Sequence, residues 1–332
     1  MEHPRKGAEM LRRIVVPLDG SDFARSALPY AVALASSDTT LELVSAFDPS
    51  AYLTVTGYGG ITGAPGYDAG TEVPAAAAEY TVELRRRREE ELDRVAEEVR
   101  SAFDADVRWT MLDGPPAETI AEHASGEVDL MVLSTHGRGG LERAWLGSVA
   151  DRLVQRSPAP LLLVRPREDH AHARALESPP RIRRVLVPLD GSRLAEAVLE
   201  PAATLADAAG AAVVLASVIP TDLMVGSPYL PHLAREREGR RGEKTREIGD
   251  YLDEVAERLR GRGVEVAAAH VAEGTPASTI LQLGREHADL IAMATHGRGG
   301  LRRWLLGSVS DKVVRGGDQP VLLVRPEGNT ED

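Results

Sequence analysis

The chain has 332 residues, a net charge of −12 and no cysteine. Its length predicts two domains, and the lack of cysteine excludes disulfides, thiol catalysis and cysteine-ligated metals. The acidic balance argues against nucleic-acid binding, and we expect a cytoplasmic protein because no apolar run suits a membrane span or a secretory signal.

The first half of the chain alternates short apolar runs with segments of helical spacing. The apolar runs predict strands at 14–18, 41–47, 106–112, 129–133 and 160–164. Helices are predicted from Asp22 to about Ser36 with Ser21 as N-cap, from Glu79 to Phe103, from Pro115 to about Ser125, and from Gly147 to Arg156. The intervening stretch 48–78 is rich in Gly, Pro and Thr and is predicted to be a long loop.

The second half of the chain repeats the first in the same order. RRIVVPLDGS (12–21) recurs as RRVLVPLDGS (183–192), VDLMVLSTHGRGGL (128–141) as ADLIAMATHGRGGL (288–301), and SPAPLLLVRP (157–166) as GDQPVLLVRP (317–326). We therefore assign domains to 10–166 and 182–327, joined by a polar linker at 167–181. Strands that alternate with helices predict an α/β fold with two doubly wound, five-stranded parallel sheets of order 3-2-1-4-5.

Two motifs of each repeat converge on the carboxyl ends of strands 1 and 4, where such sheets bind ligands. Strand 1 ends at Asp19, and strand 4 leads into the glycine-rich THGRGGL loop (135–141). The loop is followed by Gly147 and Ser148 at a helix start, whose free N–H groups suit a phosphate. Arg138 could add positive charge. Together these parts predict a phosphate cradle.

Individual residues of this crevice leave alternatives open. Asp19 could accept a hydrogen bond from an adenine amino or ribose hydroxyl group, hold Mg²⁺, or cap the following turn. Ser148 could simply be an N-cap. His136 and His296 have no partner acid at a defined spacing, so local packing or hydrogen bonding is favoured over catalysis and no catalytic residue is assigned. The loop is neither a Walker A motif nor a Rossmann fingerprint.

On these motifs the chain resembles a tandem universal stress protein. The ATP-binding members of that family carry Gly-x2-Gly-x9-Gly-Ser/Thr after strand 4. The corresponding residues are Ser134, Gly137, Gly147 and Ser148 in the first repeat, and Ala294, Gly297, Gly307 and Ser308 in the second. Ser134 and Ala294 stand in place of the first glycine of the motif.

The resemblance implies an adenine nucleotide site in each repeat. Asp19 and Asp190 would lie near the adenosine, Pro17 and Pro188 would line the adenine, Leu41 and Val213 would close its pocket, and Val149 and Val309 would lend backbone N–H groups. The complete set of expected binding residues is Pro17, Asp19, Leu41, Ser134, His136, Gly137, Arg138, Gly140, Gly147, Ser148 and Val149, with Pro188, Asp190, Val213, Ala294, His296, Gly297, Arg298, Gly300, Gly307, Ser308 and Val309.

The resemblance also implies an assembly and a function. The last strands, 161–164 and 321–324, would pair the repeats into an intramolecular pseudo-dimer, and two chains could associate further as a homodimer. The function expected is that of a stress-response protein that binds ATP, AMP or another adenine nucleotide, with or without Mg²⁺, and thereby regulates protein partners. The alternatives are a slow Mg²⁺-dependent ATPase or phosphotransferase, and a scaffold with vestigial loops.

Overall fold

The computed structural model describes residues 10–50, 75–135, 146–166, 176–221, 231–295 and 306–326, and all their side chains except those of 75–78 and 231–241. The first repeat comprises β1 (Arg13–Pro17), α1 (Asp22–Arg25), α2 (Leu28–Leu34), β2 (Thr40–Phe47), α3 (Ala75–Ala102), β3 (Asp106–Asp113), α4 (Pro116–His123), β4 (Leu130–Ser134), α5 (Ser148–Arg156) and β5 (Leu161–Val164). The second comprises β6 (Arg184–Pro188), α6 (Arg193–Glu196), α7 (Leu199–Ala209), β7 (Ala212–Pro220), α8 (Pro231–Gly261), β8 (Val266–Gly274), α9 (Pro276–His287), β9 (Leu290–Ala294), α10 (Ser308–Gly316) and β10 (Val321–Val324).

The ten strands form one sheet in the order β3-β2-β1-β4-β5-β10-β9-β6-β7-β8. Each repeat therefore has the order 3-2-1-4-5 with parallel pairing, which confirms the predicted fold class. The two halves join through β5 and β10, which pair antiparallel with Leu322 opposite Leu162. Because that junction is antiparallel, the carboxyl ends of the strands of the two repeats point to opposite edges of the sheet.

One hydrophobic core lies on each face of the sheet and continues across both repeats. Alternate strand residues supply the two cores, as Val16 and Val15 of β1 do. The first core packs under α1, α2, α3 and their counterparts α6, α7 and α8, and the second packs under α4, α5, α9 and α10. Leu176, within the predicted linker, is 4% exposed and belongs to the first core.

The prediction of one continuous helix from Asp22 to about Ser36 is wrong. The structure has two helices, α1 and α2, with a break at Ser26–Ala27. Pro29 accounts for the break, since it has no N–H to donate and its ring conflicts with the carbonyl four residues earlier. Ser21 is confirmed as the N-cap, because its hydroxyl accepts a hydrogen bond from the backbone N–H of Ala24 at 3.2 Å.

Two kinds of polar contact hold the helices in place. At the junction, Arg165 Nη1 donates to the carbonyl of Gly317 at 2.9 Å and Arg325 Nη1 donates to that of Gln155 at 2.8 Å. Each arginine thus satisfies the carboxyl end of a helix in the other repeat.

None of the described helices contains an apolar stretch of the length needed to cross a membrane.

A second contact occurs in both repeats with its charges exchanged. Arg25 of α1 pairs with Glu98 of α3 in the first repeat, whereas Glu196 of α6 pairs with Arg258 of α8 at 2.7 Å in the second. The two charges have therefore changed together, which preserves their attraction across the same pair of helices.

Candidate functional site

The strand-1 aspartate of each repeat lies in a tight turn at the carboxyl edge of the sheet. Asp19 Oδ1 accepts hydrogen bonds from the backbone N–H of Ser21 at 2.9 Å and from its hydroxyl at 2.5 Å. Asp190 and Ser192 repeat the arrangement at 2.9 and 2.6 Å. Gly20 has a φ of 77°, which explains why glycine follows the aspartate. The turn-capping role considered for Asp19 is therefore present, and it fixes the carboxylate beside the end of β1.

The ends of the glycine-rich loop are tied together beside the end of β4. Thr135 donates its N–H to the carbonyl of Val164 at 2.9 Å, and its own carbonyl accepts the N–H of Gly147 at 2.8 Å. Thr295 makes the same two bonds with Val324 and Gly307, both at 2.8 Å. The chain therefore leaves the sheet and returns to it at one point, which places the start of α5 next to β4.

The loops themselves lie outside the described residues. This applies to eight of the predicted binding residues: His136, Gly137, Arg138 and Gly140, with His296, Gly297, Arg298 and Gly300. Their roles stay predictions.

The helix that follows the loop begins with a glycine cap. Gly147 is the N-cap of α5 and Ser148 is its first helical residue, so the alternative of Ser148 as N-cap is wrong. Gly307 caps α10 in the same way. A glycine cap contributes no side-chain acceptor, which leaves the N–H groups of the first turn for another partner. Ser148 is exposed and Val149 partly exposed, so both can be reached by a ligand.

The remaining residues of this edge surround the two turns. Ser134 and Ala294 are the last residues of β4 and β9 and are 8% and 7% exposed. Pro17 and Pro188 end β1 and β6, two residues before the aspartates. These positions are brought together with the start of α5 or α10, because β1 pairs with β4 and β6 pairs with β9.

Leu41 and Val213 are not brought to this site, contrary to the expectation that they close an adenine pocket. Leu41 pairs with Ile14 near the amino end of β1, and its side chain is fully buried in the core. Val213 is 1% exposed and pairs with Val185 in the same way. Because parallel strands run in one direction, the start of β2 lies at the edge opposite to the carboxyl ends that form the site.

The residues of β2 and β7 that do reach the site were missed by sequence reasoning. Val44 pairs with Pro17, so Ala46 is level with Asp19. Ala46 is partly exposed. Val218 holds the same place beside Asp190. The strand register identifies them: the residue of β2 or β7 that lies level with the strand-1 aspartate is the one that reaches the site. The sequence analysis instead chose residues from the start of strand 2.

Comparison with known proteins identifies the relatives of this chain. The family model described as the universal stress protein family matches residues 10–165 and 181–325. A universal stress protein of Mycobacterium tuberculosis is 30% identical over 223 residues, which are 66% of this chain and 69% of that protein. One from Thermus aquaticus is 36% identical over 143 residues, 42% of this chain and 97% of its own length. The crystal structure of a universal stress protein from Archaeoglobus fulgidus shares the fold, with a TM-score of 0.61, 20% identity, and coverage of 97% of this chain and 98% of that chain.

Proposed function

Because the chain belongs to the universal stress protein family, we propose that each repeat binds ATP or another adenine nucleotide and so regulates contacts with protein partners in the cytoplasm. One observation carries the proposal. In both repeats, a glycine-capped helix start is tied to the end of the fourth strand and lies beside the turn that holds the strand-1 aspartate.

The helix start is the phosphate end of the proposed site. The N–H groups of Ser148 and Val149 belong to the first turn of α5, where partial positive charge favours an anion. The exposed hydroxyl of Ser148 adds a donor. In the second repeat Ser308 and Val309 supply the same groups. Gly137, Arg138 and their counterparts in the second repeat would close the cradle from the loop.

The strand-1 turn is the adenosine end. The carboxylate of Asp19 can accept a hydrogen bond from an amino or hydroxyl group of the ligand. Pro17, two residues earlier, and Ala46, level with Asp19 on β2, are partly exposed apolar residues of the same edge. Within the described residues no cluster of three or more His, Asp or Glu side chains is arranged for a metal.

The experiment combines mass spectrometry and calorimetry on the full-length protein. Nucleotide released on denaturation is identified and counted, and ATP and AMP are then titrated with and without Mg²⁺. Gly147→Trp and Gly307→Trp should each remove one binding site, because a large side chain at the helix cap covers the first-turn N–H groups. Gly261→Trp is the matched control, since Gly261 ends α8 with open space around it.

The outcomes separate the alternatives. Two nucleotides per chain, reduced to one by either cap variant, support the proposal. If neither ATP nor AMP binds the wild-type protein, the nucleotide proposal is abandoned in favour of a scaffold. Analysis of the titrated ATP for ADP then shows whether either site hydrolyses it.

A further inference from the structure

The first turn of α10 is joined to the sheet by a side chain as well as by the backbone. The hydroxyl of Ser310 donates a hydrogen bond to the carbonyl of Ala294, the last residue of β9, at 2.9 Å. Ser310 is 4% exposed, so this bond lies in the interior between the helix and the strand. It adds to the backbone bond in which Gly307 donates its N–H to the carbonyl of Thr295. The start of α10 is therefore held to the end of β9 at two successive residues.

The direction of the Ser310 hydroxyl sets it apart from an ordinary serine at a helix start. Serine side chains commonly bond to backbone groups of their own turn. Ser278, the third residue of α9, does so, because its exposed hydroxyl donates to the carbonyl of Thr275 at 3.0 Å. Ser310 is likewise the third residue of its helix, but its hydroxyl bonds to a different element. It therefore constrains where the start of α10 lies relative to the sheet.

The first repeat lacks this side-chain contact. The third residue of α5 is Ala150, which is buried at the same place but has no hydroxyl. The backbone bond is present, since Gly147 donates its N–H to the carbonyl of Thr135 at 2.8 Å. The two proposed sites thus share the backbone arrangement of the helix start and differ in the hydroxyl group that supports it.

The hydrogen bond of Ser310 lies directly behind the groups proposed to hold the phosphate. Ser308 and Val309 immediately precede Ser310 in the first turn of α10. The helical hydrogen bonds begin with the N–H of Asp311, which donates to the carbonyl of Gly307 at 2.8 Å, so the N–H groups of Ser308 and Val309 are left for a ligand. Donors that are fixed before the ligand arrives bind it more tightly, because less ordering accompanies binding.

We propose that Ser310 is a positioning residue, which holds the phosphate-binding turn of the second repeat in place and so strengthens the binding of a 5′-phosphate there. It acts through the N–H groups of Ser308 and Val309 and does not itself touch the nucleotide. The first repeat, with Ala150, binds the phosphate without this support. This inference rests on the proposed nucleotide function and adds to it a difference between the two sites.

The test compares AMP with adenosine, which has no phosphate, by titration calorimetry on protein with Gly147→Trp, which keeps only the second site. The affinity for adenosine is measured by displacement of AMP. Ser310→Ala should weaken the binding of AMP about threefold to tenfold, as expected for the loss of one neutral hydrogen bond that supports the site. It should leave the affinity for adenosine unchanged, whereas a general loss of structure would weaken both ligands alike. Ser310→Thr, which keeps the hydroxyl, should bind AMP as the parent protein does.

Ser278→Ala is the matched control, because it removes a serine hydroxyl from the same position of a helix in the same repeat, and it should change neither affinity. Unchanged AMP binding in Ser310→Ala, or an equal loss for AMP and adenosine, overturns the inference while the nucleotide function stands. Failure of both ligands to bind the parent protein overturns the nucleotide function as well. If Ser310→Ala does not fold, the reciprocal Ala150→Ser decides the matter: on protein with Gly307→Trp, it should strengthen the binding of AMP to the first site and leave that of adenosine unchanged.

Discussion

Glu42 is a buried carboxylate near the amino end of β2, and Glu42→Gln should destabilise the protein by about 3 kcal/mol at pH 7. The residue is 8% exposed. Its carboxylate accepts hydrogen bonds from Arg13 Nε at 3.0 Å, Arg13 Nη2 at 2.7 Å and Thr110 Oγ1 at 2.6 Å, and His123 Nε2 lies 3.0 Å away. The second repeat has Val214 at this position and lacks the network.

The magnitude follows from what glutamine can still accept. Its amide is neutral and has one oxygen acceptor, so the bonds from Arg13 lose their charge assistance and the bond with the Thr110 hydroxyl must reverse its direction. Removing one partner of a buried ion pair typically costs about 3–5 kcal/mol. The side chain of Arg13 is 29% exposed, so water recovers part of the loss and the lower end of that range applies.

The effect should depend on pH with a definite sign. Burial raises the pKa of Glu42, but the hydrogen bonds from Thr110, Arg13 and His123 outweigh burial and hold it below the ordinary value of 4.5. A carboxyl whose pKa is lower in the folded state stabilises the protein above pH 4.5 and loses that contribution as the pH falls through the folded-state pKa. The difference between wild type and Glu42→Gln should therefore shrink in acid.

Urea denaturation followed by circular dichroism, at neutral and acidic pH, measures both effects. Glu122→Gln is the control, since Glu122 is exposed on α4, the helix that carries His123. It should change stability by less than about 0.5 kcal/mol. A Glu42→Gln protein as stable as the control at pH 7, or a difference that grows in acid, would refute the reasoning.

Three further changes test other contacts of the fold. Arg25→Glu should cost about 0.5–1 kcal/mol in urea denaturation because it faces Glu98 with a like charge, and adding Glu98→Arg should restore stability; a double variant no better than the single contradicts this. Burial and, to a lesser extent, His287 lower the pKa of His270, so the stability of the folded protein should fall as the pH drops below 6.5. His270→Thr should flatten this dependence of stability on pH, measured as the melting temperature at several pH values. An unchanged dependence would show that His270 does not cause it. Leu162→Ala should cost about 2–4 kcal/mol in urea denaturation because Leu162 is fully buried at the junction of the repeats; a loss below 1 kcal/mol, on the order of a surface change, would show that the junction matters little.

The strands and their order were predictable because both follow from patterns of neighbouring residues in the sequence. Short apolar runs separated by helical segments predict a parallel sheet, and the repeated motifs identify equivalent strands in the two halves. Gly147 was also informative, since it was placed at the start of the helix that it caps in the structure. These are properties of a few neighbouring residues, so no tertiary information was needed.

The parts that failed depend on how distant segments align. Leu41 was assigned to the site from its place in its own strand, whereas the pairing of β2 with β1 decides which residue reaches the edge, and that residue is Ala46. The run from Arg85 to Arg88 is followed at once by three glutamates, a pattern typical of a solvated helix face. Only the packing of α3 on the sheet shows that Arg88 continues the buried face of the helix.

The antiparallel junction of β5 with β10 has an evolutionary consequence. In a symmetric homodimer every substitution occurs in both subunits, so the two binding sites must change together. A covalent tandem removes that constraint while keeping the halves together at any dilution, because their association is intramolecular. In a tandem chain, a mutation can change one site while the other site stays unchanged. The exchanged charges at Arg25 and Glu196 show that the two halves have diverged separately.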